Sequence, residues 1–207
     1  MDDRELVRRG YDEFAETYAE RNASTERERA ILDEFLDSIA DPNRLLDAGC
    51  GHGTDLLRRT SESKAVVGLD ISRAQLGLAP ERVPDARFVH GDMTTLPFDE
   101  GAFDAVVAYR SLIHVPRPDH QRVLEEFARV LRPGGGVLLS EAPVEFDRET
   151  DDWLDAGGEM TWSTSGAEAT RRHLRAAGFT VLREWGAPEP EAGEPPRPPF
   201  FAGRLDT

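Results

Sequence analysis

The chain has 207 residues, enough to fill one hydrophobic core and short for two domains. Its 40 Asp and Glu outnumber 25 Lys and Arg, giving a formal net charge of −15, and Lys64 is the only lysine. Such a surface repels phosphate backbones and anionic lipid, which excludes nucleic acid and membranes as partners and leaves a small molecule as the expected one. The acidic, lysine-poor composition resembles that of a halophile's protein, so a halophilic source is expected. The single cysteine, Cys50, has no disulfide partner and no neighbour at zinc spacing, and no His/Asp/Glu cluster has metal-ligand spacing, so no metal is expected. The run Met1-Asp2-Asp3-Arg4-Glu5 lacks the apolar core of a signal peptide, and no stretch approaches the ~18 apolar residues of a membrane span, so the expected location is cytoplasmic.

In chain order, residues 1–40 read as two helices. Tyr11, Phe14, Ala15 and Tyr18 share one side of the first; Ile31, Leu32, Phe35, Leu36 and Ile39 recur at helical spacing in the second. Next comes Leu45-Leu46-Asp47-Ala48-Gly49-Cys50-Gly51-His52-Gly53-Thr54, an apolar strand ending in an acid, then glycine at every second position, then a helix. Glycines there permit positive φ and a close ligand approach. Such a bend lies at the carboxyl end of the first strand of an open α/β sheet, where ligands bind. Two cofactor classes compete for it. A dinucleotide loop wants its third glycine one residue later than Gly53, where Thr54 stands. Asp47 suits an ammonium better than a diphosphate. His52 reads as loop filling, and Cys50 as a small buried residue.

Ala65–Asp70 is a second strand ending in an acid about 20 residues past the glycines, the position of a ribose-binding carboxylate. Ser72 and Gln75 follow at capping-box spacing. A third strand, Ala86–His90, runs into Gly91-Asp92-Met93, and Leu96-Pro97-Phe98-Asp99 connects it to a fourth, Phe103–Tyr109, which continues as Arg110-Ser111-Leu112-Ile113-His114. A helix from Asp119 to Leu131 stops at Arg132-Pro133-Gly134-Gly135-Gly136, and Val137–Glu141 is the fifth strand. Residues 143–164 show no periodicity and hold Trp153, Met160 and Trp162, as a lid or binding loop does. Ser165 and Glu168 form a second capping-box pattern, opening a helix that ends at Gly178. Phe179–Trp185 and Phe200–Leu205 read as sixth and seventh strands, with the Pro/Glu-rich stretch Pro188–Pro199 a solvated loop between them.

The acid-x-Gly-x-Gly-x-Gly string at Asp47–Gly53 resembles motif I of the class I S-adenosylmethionine-dependent methyltransferases. Tyr11-Asp12-x-x-Ala15-x-x-Tyr18 is similar to the N-terminal lid of the small-molecule members, and Arg129-Val130-Leu131-Arg132-Pro133-Gly134-Gly135 resembles their post-motif. The resemblance spans residues 11–142 and is of the methyltransferase type 11-like kind. It implies a Rossmann-like α/β fold, with a seven-stranded, mostly parallel sheet in the order 3-2-1-4-5-7-6 and helices on both faces. The whole of 1–207 then forms one domain: a helical lid (1–40), a cofactor-binding half (41–142) and a substrate-side half (143–207).

S-adenosyl-L-methionine is the implied cofactor and S-adenosyl-L-homocysteine its product. The implied cofactor contacts are Asp47, Gly49, Cys50, Gly51 and Gly53 in the loop, and Asp70 with Ile71 at the ribose. Gly91, Asp92 and Met93 follow at the adenine, and Tyr11, Tyr18, Tyr109 and Arg110 around the methionine end. His114 is the candidate general base, and Trp153 and Trp162 are candidate substrate contacts. No Asp/Asn-Pro-Pro-aromatic string follows the fourth strand, which counts against methylation of nucleic-acid bases. The implied function is methyl transfer to an O, N or C atom of a small acceptor by in-line displacement. A non-catalytic cofactor-binding regulator or partner subunit and an NAD-linked reductase are the alternatives. Acceptor identity, and whether the chain acts as monomer or homodimer, are not legible in the sequence.

Overall fold

Continuous apolar runs with glycine bends at their ends form strands covered on both faces. In a computed structural model, which describes residues 2–22, 24–186 and 198–206, five such strands lie parallel. They are Arg44–Ala48 (β1), Ala65–Asp70 (β2), Arg87–His90 (β3), Phe103–Ala108 (β4) and Leu131–Ser140 (β5). Glu145–Trp153 (β6) and Gly158–Ser165 (β7) form a separate antiparallel pair, while Phe179–Trp185 (β8) and Phe200–Leu205 (β9) complete the main sheet. Its order is β3-β2-β1-β4-β5-β9-β8, with β9 antiparallel to β5 and to β8. This is the expected 3-2-1-4-5-7-6 arrangement, β8 and β9 being the sixth and seventh strands anticipated from the sequence. The part of the Pro188–Pro199 stretch up to residue 197 lies outside the described residues.

Alternation along the strands divides the core between the two faces of the sheet. Leu46, Val106 and Leu139 point to a layer with Phe127 and Val130 from helix α6 (His120–Val130), whereas Leu45, Val107 and Leu138 meet Phe35 of helix α3 (Glu26–Asp37) and Leu57 of helix α4 (Asp55–Thr60). Among the described residues the α-helices are α1 (Asp3–Glu13), α2 (Ala15–Arg21), α3 (Glu26–Asp37), α4 (Asp55–Thr60), α5 (Arg73–Arg82), α6, and α7 (Gly166–Ala176). Every position of β4 is buried, as the central strand of such a sheet requires.

The structure departs from the sequence expectations at four places. The first helix of residues 1–40 is two helices, broken at Phe14, whose ring covers Gly158; a Cβ on that glycine would lie 2.5 Å from the ring. Residues 143–164 are no loop: β6 and β7 pair from Glu145↔Ser165 to Thr150↔Met160. The hairpin escaped notice because β6 is almost wholly exposed and acidic, with only Trp153 buried, so no alternation marks it. Ser165 does not cap α7; its hydroxyl bonds the Nδ1 of buried His120 at 2.8 Å. The helix expected to run to Leu131 ends one residue earlier, and Leu131 pairs with Phe103 before the register shifts across the Pro-Gly run.

Asp104, at the start of β4, fastens the lower end of the sheet. Its carboxylate accepts from the backbone N–H of Asn43 (2.9 Å) and Arg44 (2.7 Å) and from Arg132 Nε (2.7 Å). Burial alone would raise its carboxyl, but these three donors outweigh that and hold it below the ordinary value. A depressed folded value stabilises the protein above the unfolded carboxyl's titration and loses that contribution as the pH falls through the folded value. Asp104→Asn is therefore expected to cost roughly 1–3 kcal/mol in urea unfolding at pH 7. The gap from wild type should shrink once the pH drops below about 4.

Candidate active site

The bend after β1 is shaped by its glycines. Gly49, Gly51 and Gly53 have φ of 87°, 52° and 97°, and a Cβ on Gly49 would fall 2.2 Å from Ser111 Cβ. Leu69 O, near the end of β2, accepts from Gly49 N (2.8 Å) and Cys50 N (3.0 Å), and Asp70 Oδ2 accepts from Gly51 N (2.8 Å). The end of β2 thus holds the bend open. Cys50 turns inward against Gly68, and burial pushes its thiol well above the ordinary range, so it packs rather than attacks.

Asp47 is 1 % exposed. The Thr54 hydroxyl donates to its Oδ2, while its Oδ1 is buried with no hydrogen-bond partner. Burial raises the carboxyl to about 7; the Thr54 bond lowers it and nearby Asp70 raises it further. Asp70 also accepts from Ser72 N (2.8 Å), and burial still raises it above its ordinary value despite those bonds.

A pocket open to solvent runs from this bend past the ends of β2 and β3. Asp70, Ile71, Gly91, Asp92 and Met93 form its floor together with Gly49 and Gly51. The Asp92 carboxylate takes Thr94 N on Oδ1 (2.8 Å) and Arg4 Nη1 on Oδ2 (3.3 Å). A second hollow on the outer side of the bend includes Cys50, His52 and Gly53 and shares Tyr18, Tyr109 and Arg110 with the first.

The opposite wall is formed by residues of α1 and α2, the segment expected to act as a lid. Asp12 Oδ1 accepts from Ser72 Oγ (2.7 Å) and Ala74 N (3.1 Å), fixing α1 to the start of α5. Tyr11 OH lies 2.9 Å from His114 Nε2, and His114 Nδ1 lies 3.1 Å from Thr161 O. A carbonyl only accepts, so Nδ1 carries the imidazole proton and Nε2 accepts from Tyr11. Burial lowers His114 to about 4 against the raising effect of Thr161, leaving a neutral ring at pH 7. Tyr11 stands edge-on to Tyr18 (5.0 Å) and Trp153 (4.9 Å), and Trp162 lies 5.9 Å from the His114 ring. Both tryptophans therefore back Tyr11 and His114; neither lines the cavity.

Arg110 lines the cavity while its Nε and Nη2 bond Glu28 Oε1 (3.0 and 2.5 Å) and its Nη1 bonds Asn22 Oδ1 (3.2 Å). Tyr109 donates to Glu28 O (3.1 Å) and packs on Phe200. His52 contacts Gln75 Oε1 (3.2 Å), consistent with filling the bend. Sequence reasoning missed Asp12 as the lid's tether and Arg4 as a cavity residue. Asp12 lay inside the quoted Tyr-Asp string, but its partners are about 60 residues away; no local pattern marks Arg4.

The "Methyltransferase domain" family matches residues 45–135, from β1 through the Pro-Gly run. The chain also superposes over its full length on the magnesium protoporphyrin IX methyltransferase of Synechocystis PCC 6803, covering 98% of that chain, with a TM-score of 0.73 and 18% identity. The chain has the fold of the class I S-adenosylmethionine-dependent methyltransferases, and residues 45–135 match a methyltransferase domain. The chain is 29% identical to the 27-O-demethylrifamycin SV methyltransferase of Amycolatopsis mediterranei, across 91% of this chain and 75% of that protein. It is 33% identical to the fatty-acid O-methyltransferase of Mycolicibacterium smegmatis, across 88% of this chain and 65% of that one. The chain spans about half the length of several other curated relatives that it matches.

If Asp12 tethers α1 to the start of α5, Asp12→Ala should speed amide hydrogen exchange throughout α1 and α2. Global stability should fall by no more than about 1–2 kcal/mol, as for a lost helix cap. Unchanged exchange in those helices would show that the lid is held elsewhere.

Proposed function

We propose that the protein transfers a methyl group from S-adenosyl-L-methionine to an O, N or C atom of a small-molecule acceptor. The observation that carries this reading is the orphaned, fully buried Asp47 Oδ1 beside the glycine bend. A buried carboxylate oxygen without a donor calls for a cationic or N–H partner. The ammonium of an amino acid supplies one; a diphosphate would meet repulsion there.

The other residues fit the same ligand. Asp70 is the partner for ribose hydroxyls, with Ile71 beside it; Gly91 leaves room near Asp92 and Met93, which suit an adenine amino group and its ring face. Gly51, Gly53 and Cys50 shape the bend, and Tyr18, Tyr109 and Arg110 close the amino-acid end, Arg110 offering a cation to a carboxylate. When bound, the cofactor supplies a methyl group on a sulfonium, a good leaving group, so alignment in a dry site accounts for much of the acceleration. Tyr11 and the lid exclude water. His114 Nε2 can take a proton only through the Tyr11 hydroxyl that occupies it, a route needed only for acceptors that lose a proton. Trp153 and Trp162 set the position of that pair and so act on the acceptor from behind.

A small acceptor accords with the net charge of −15 and with the small-molecule methyltransferases among the relatives. No helix among the described residues is long and apolar enough to cross a membrane, and no group of three or more His, Cys, Asp or Glu among them is placed to hold a metal ion. The single cysteine and the acidic composition support a cytoplasmic protein working at high salt.

Titration calorimetry should show binding of S-adenosylhomocysteine and none of NAD; the reverse would transfer the site to dinucleotides. Asp70→Ala should weaken that binding by roughly 1–3 kcal/mol, the cost of unpaired hydroxyls in a buried site. Asp47 must be ionised to meet an ammonium, and the free protein holds it protonated below about 7. Affinity is therefore expected to rise from pH 5 to about 7 and then level, with proton release on binding below 7. Asp47→Asn should flatten that profile.

A further inference from the structure

One charged side chain in the cavity wall belongs to neither the glycine bend nor the strand ends. Arg4 stands in the first turn of α1 and lines the cavity. Its guanidinium forks between two carboxylates of the body: Nη1 lies 3.3 Å from Asp92 Oδ2, and Nη2 pairs with Asp119 Oδ2, just before α6. Asp92 has its other oxygen committed to Thr94 N. The oxygen facing the lid is therefore the one that Arg4 holds.

We propose that Arg4 is a positioning residue for the nucleoside end of the cavity: it latches α1 to Asp92 and Asp119, and so sets how fast an adenosine-bearing ligand enters and leaves. The proposal rests on the function inferred above, which makes Asp92 the partner of an adenine amino group. Lid closure and nucleoside binding then meet on one carboxylate.

Three features suit a latch rather than a permanent bond. Arg4, Asp92 and Asp119 side chains are each about one-third exposed (31–32%), so water reaches the pair and it can open and reform. The fork neutralises two acids that would otherwise face each other across the rim of a strongly acidic protein. The tether nearer the far end of α1, Asp12 on Ser72 and Ala74, does not involve the adenine side of the cavity, so the first turn can lift while the helix stays attached.

Two measurements test the latch. Amide hydrogen exchange of α1 in the ligand-free protein reports the latch without any ligand, and stopped-flow tryptophan fluorescence with S-adenosylhomocysteine reports the rates. Arg4→Gln should speed exchange in the first turns of α1 and raise the dissociation rate roughly fivefold, the scale of a partly exposed ion pair. The association rate should rise as well, by less. Arg4→Lys should restore part of the effect, and in an Asp92→Asn background Arg4→Gln should add less than about twofold. Arg59→Gln, which breaks an exposed pair with Asp33, should alter none of these and so controls for loss of a surface charge.

Unchanged α1 exchange in Arg4→Gln would overturn the latch whatever the protein binds. A full-sized rate effect persisting in the Asp92→Asn background would overturn the coupling through Asp92. Failure of the wild type to bind S-adenosylhomocysteine, with α1 exchange still responding to Arg4→Gln, would instead overturn the function proposed above and remove the nucleoside from the proposal.

Discussion

The Asp70 carboxylate is the fastening on which the rest of the site depends. One oxygen accepts from Gly51 N and fixes the bend after β1; the other accepts from Ser72 N and fixes the turn into α5. The Ser72 hydroxyl then donates to Asp12 of the lid. A single line of hydrogen bonds thus runs from the glycine bend, through the end of β2, to a helix nearly sixty residues earlier in the chain. Burial makes each link matter, because a broken one leaves a polar group with no water to replace its partner.

That line gathers acid where an acidic chain can least tolerate it. Asp70 lies in the cavity floor and Asp47 is buried behind the bend, and both have their carboxyls raised by that burial. Asp70 is compensated by backbone donors, whereas Asp47 has one hydroxyl and an oxygen left over. The cationic side chains of the cavity wall are engaged elsewhere, Arg110 with Glu28 and Asn22 and Arg4 with Asp92 and Asp119, and neither reaches Asp47 Oδ1.

How much of this could be read in the sequence follows from the range of the interactions. The five parallel strands, the bend and its acids are local patterns, since each needs only an apolar run, a glycine and a carboxylate in order. The order of the main sheet followed from the family resemblance, because no local pattern fixes which strands pair. The β6–β7 hairpin was invisible because an exposed, charged strand leaves no period-two trace. The second capping-box pattern failed at Ser165 because a distant partner, His120, competes for its hydroxyl. Conversely a true capping box, Thr25 with Glu28, went unread; Glu28 serves it while also holding Arg110. His114 and Tyr11 were each singled out, but their pairing spans about a hundred residues and only the fold brings them together.

The hairpin's placement separates two tasks. It joins the main sheet nowhere; it rests on α1 and on the turn that carries His114, through Thr161 O and the packing of Gly158 against Phe14. Lengthening, shortening or reshaping β6 and β7 would therefore shift the support behind Tyr11 and His114 while the floor of the cavity kept its register. An appendage of this kind can vary in length and sequence while the hydrogen bonds that hold the glycine bend to the end of β2 stay as they are.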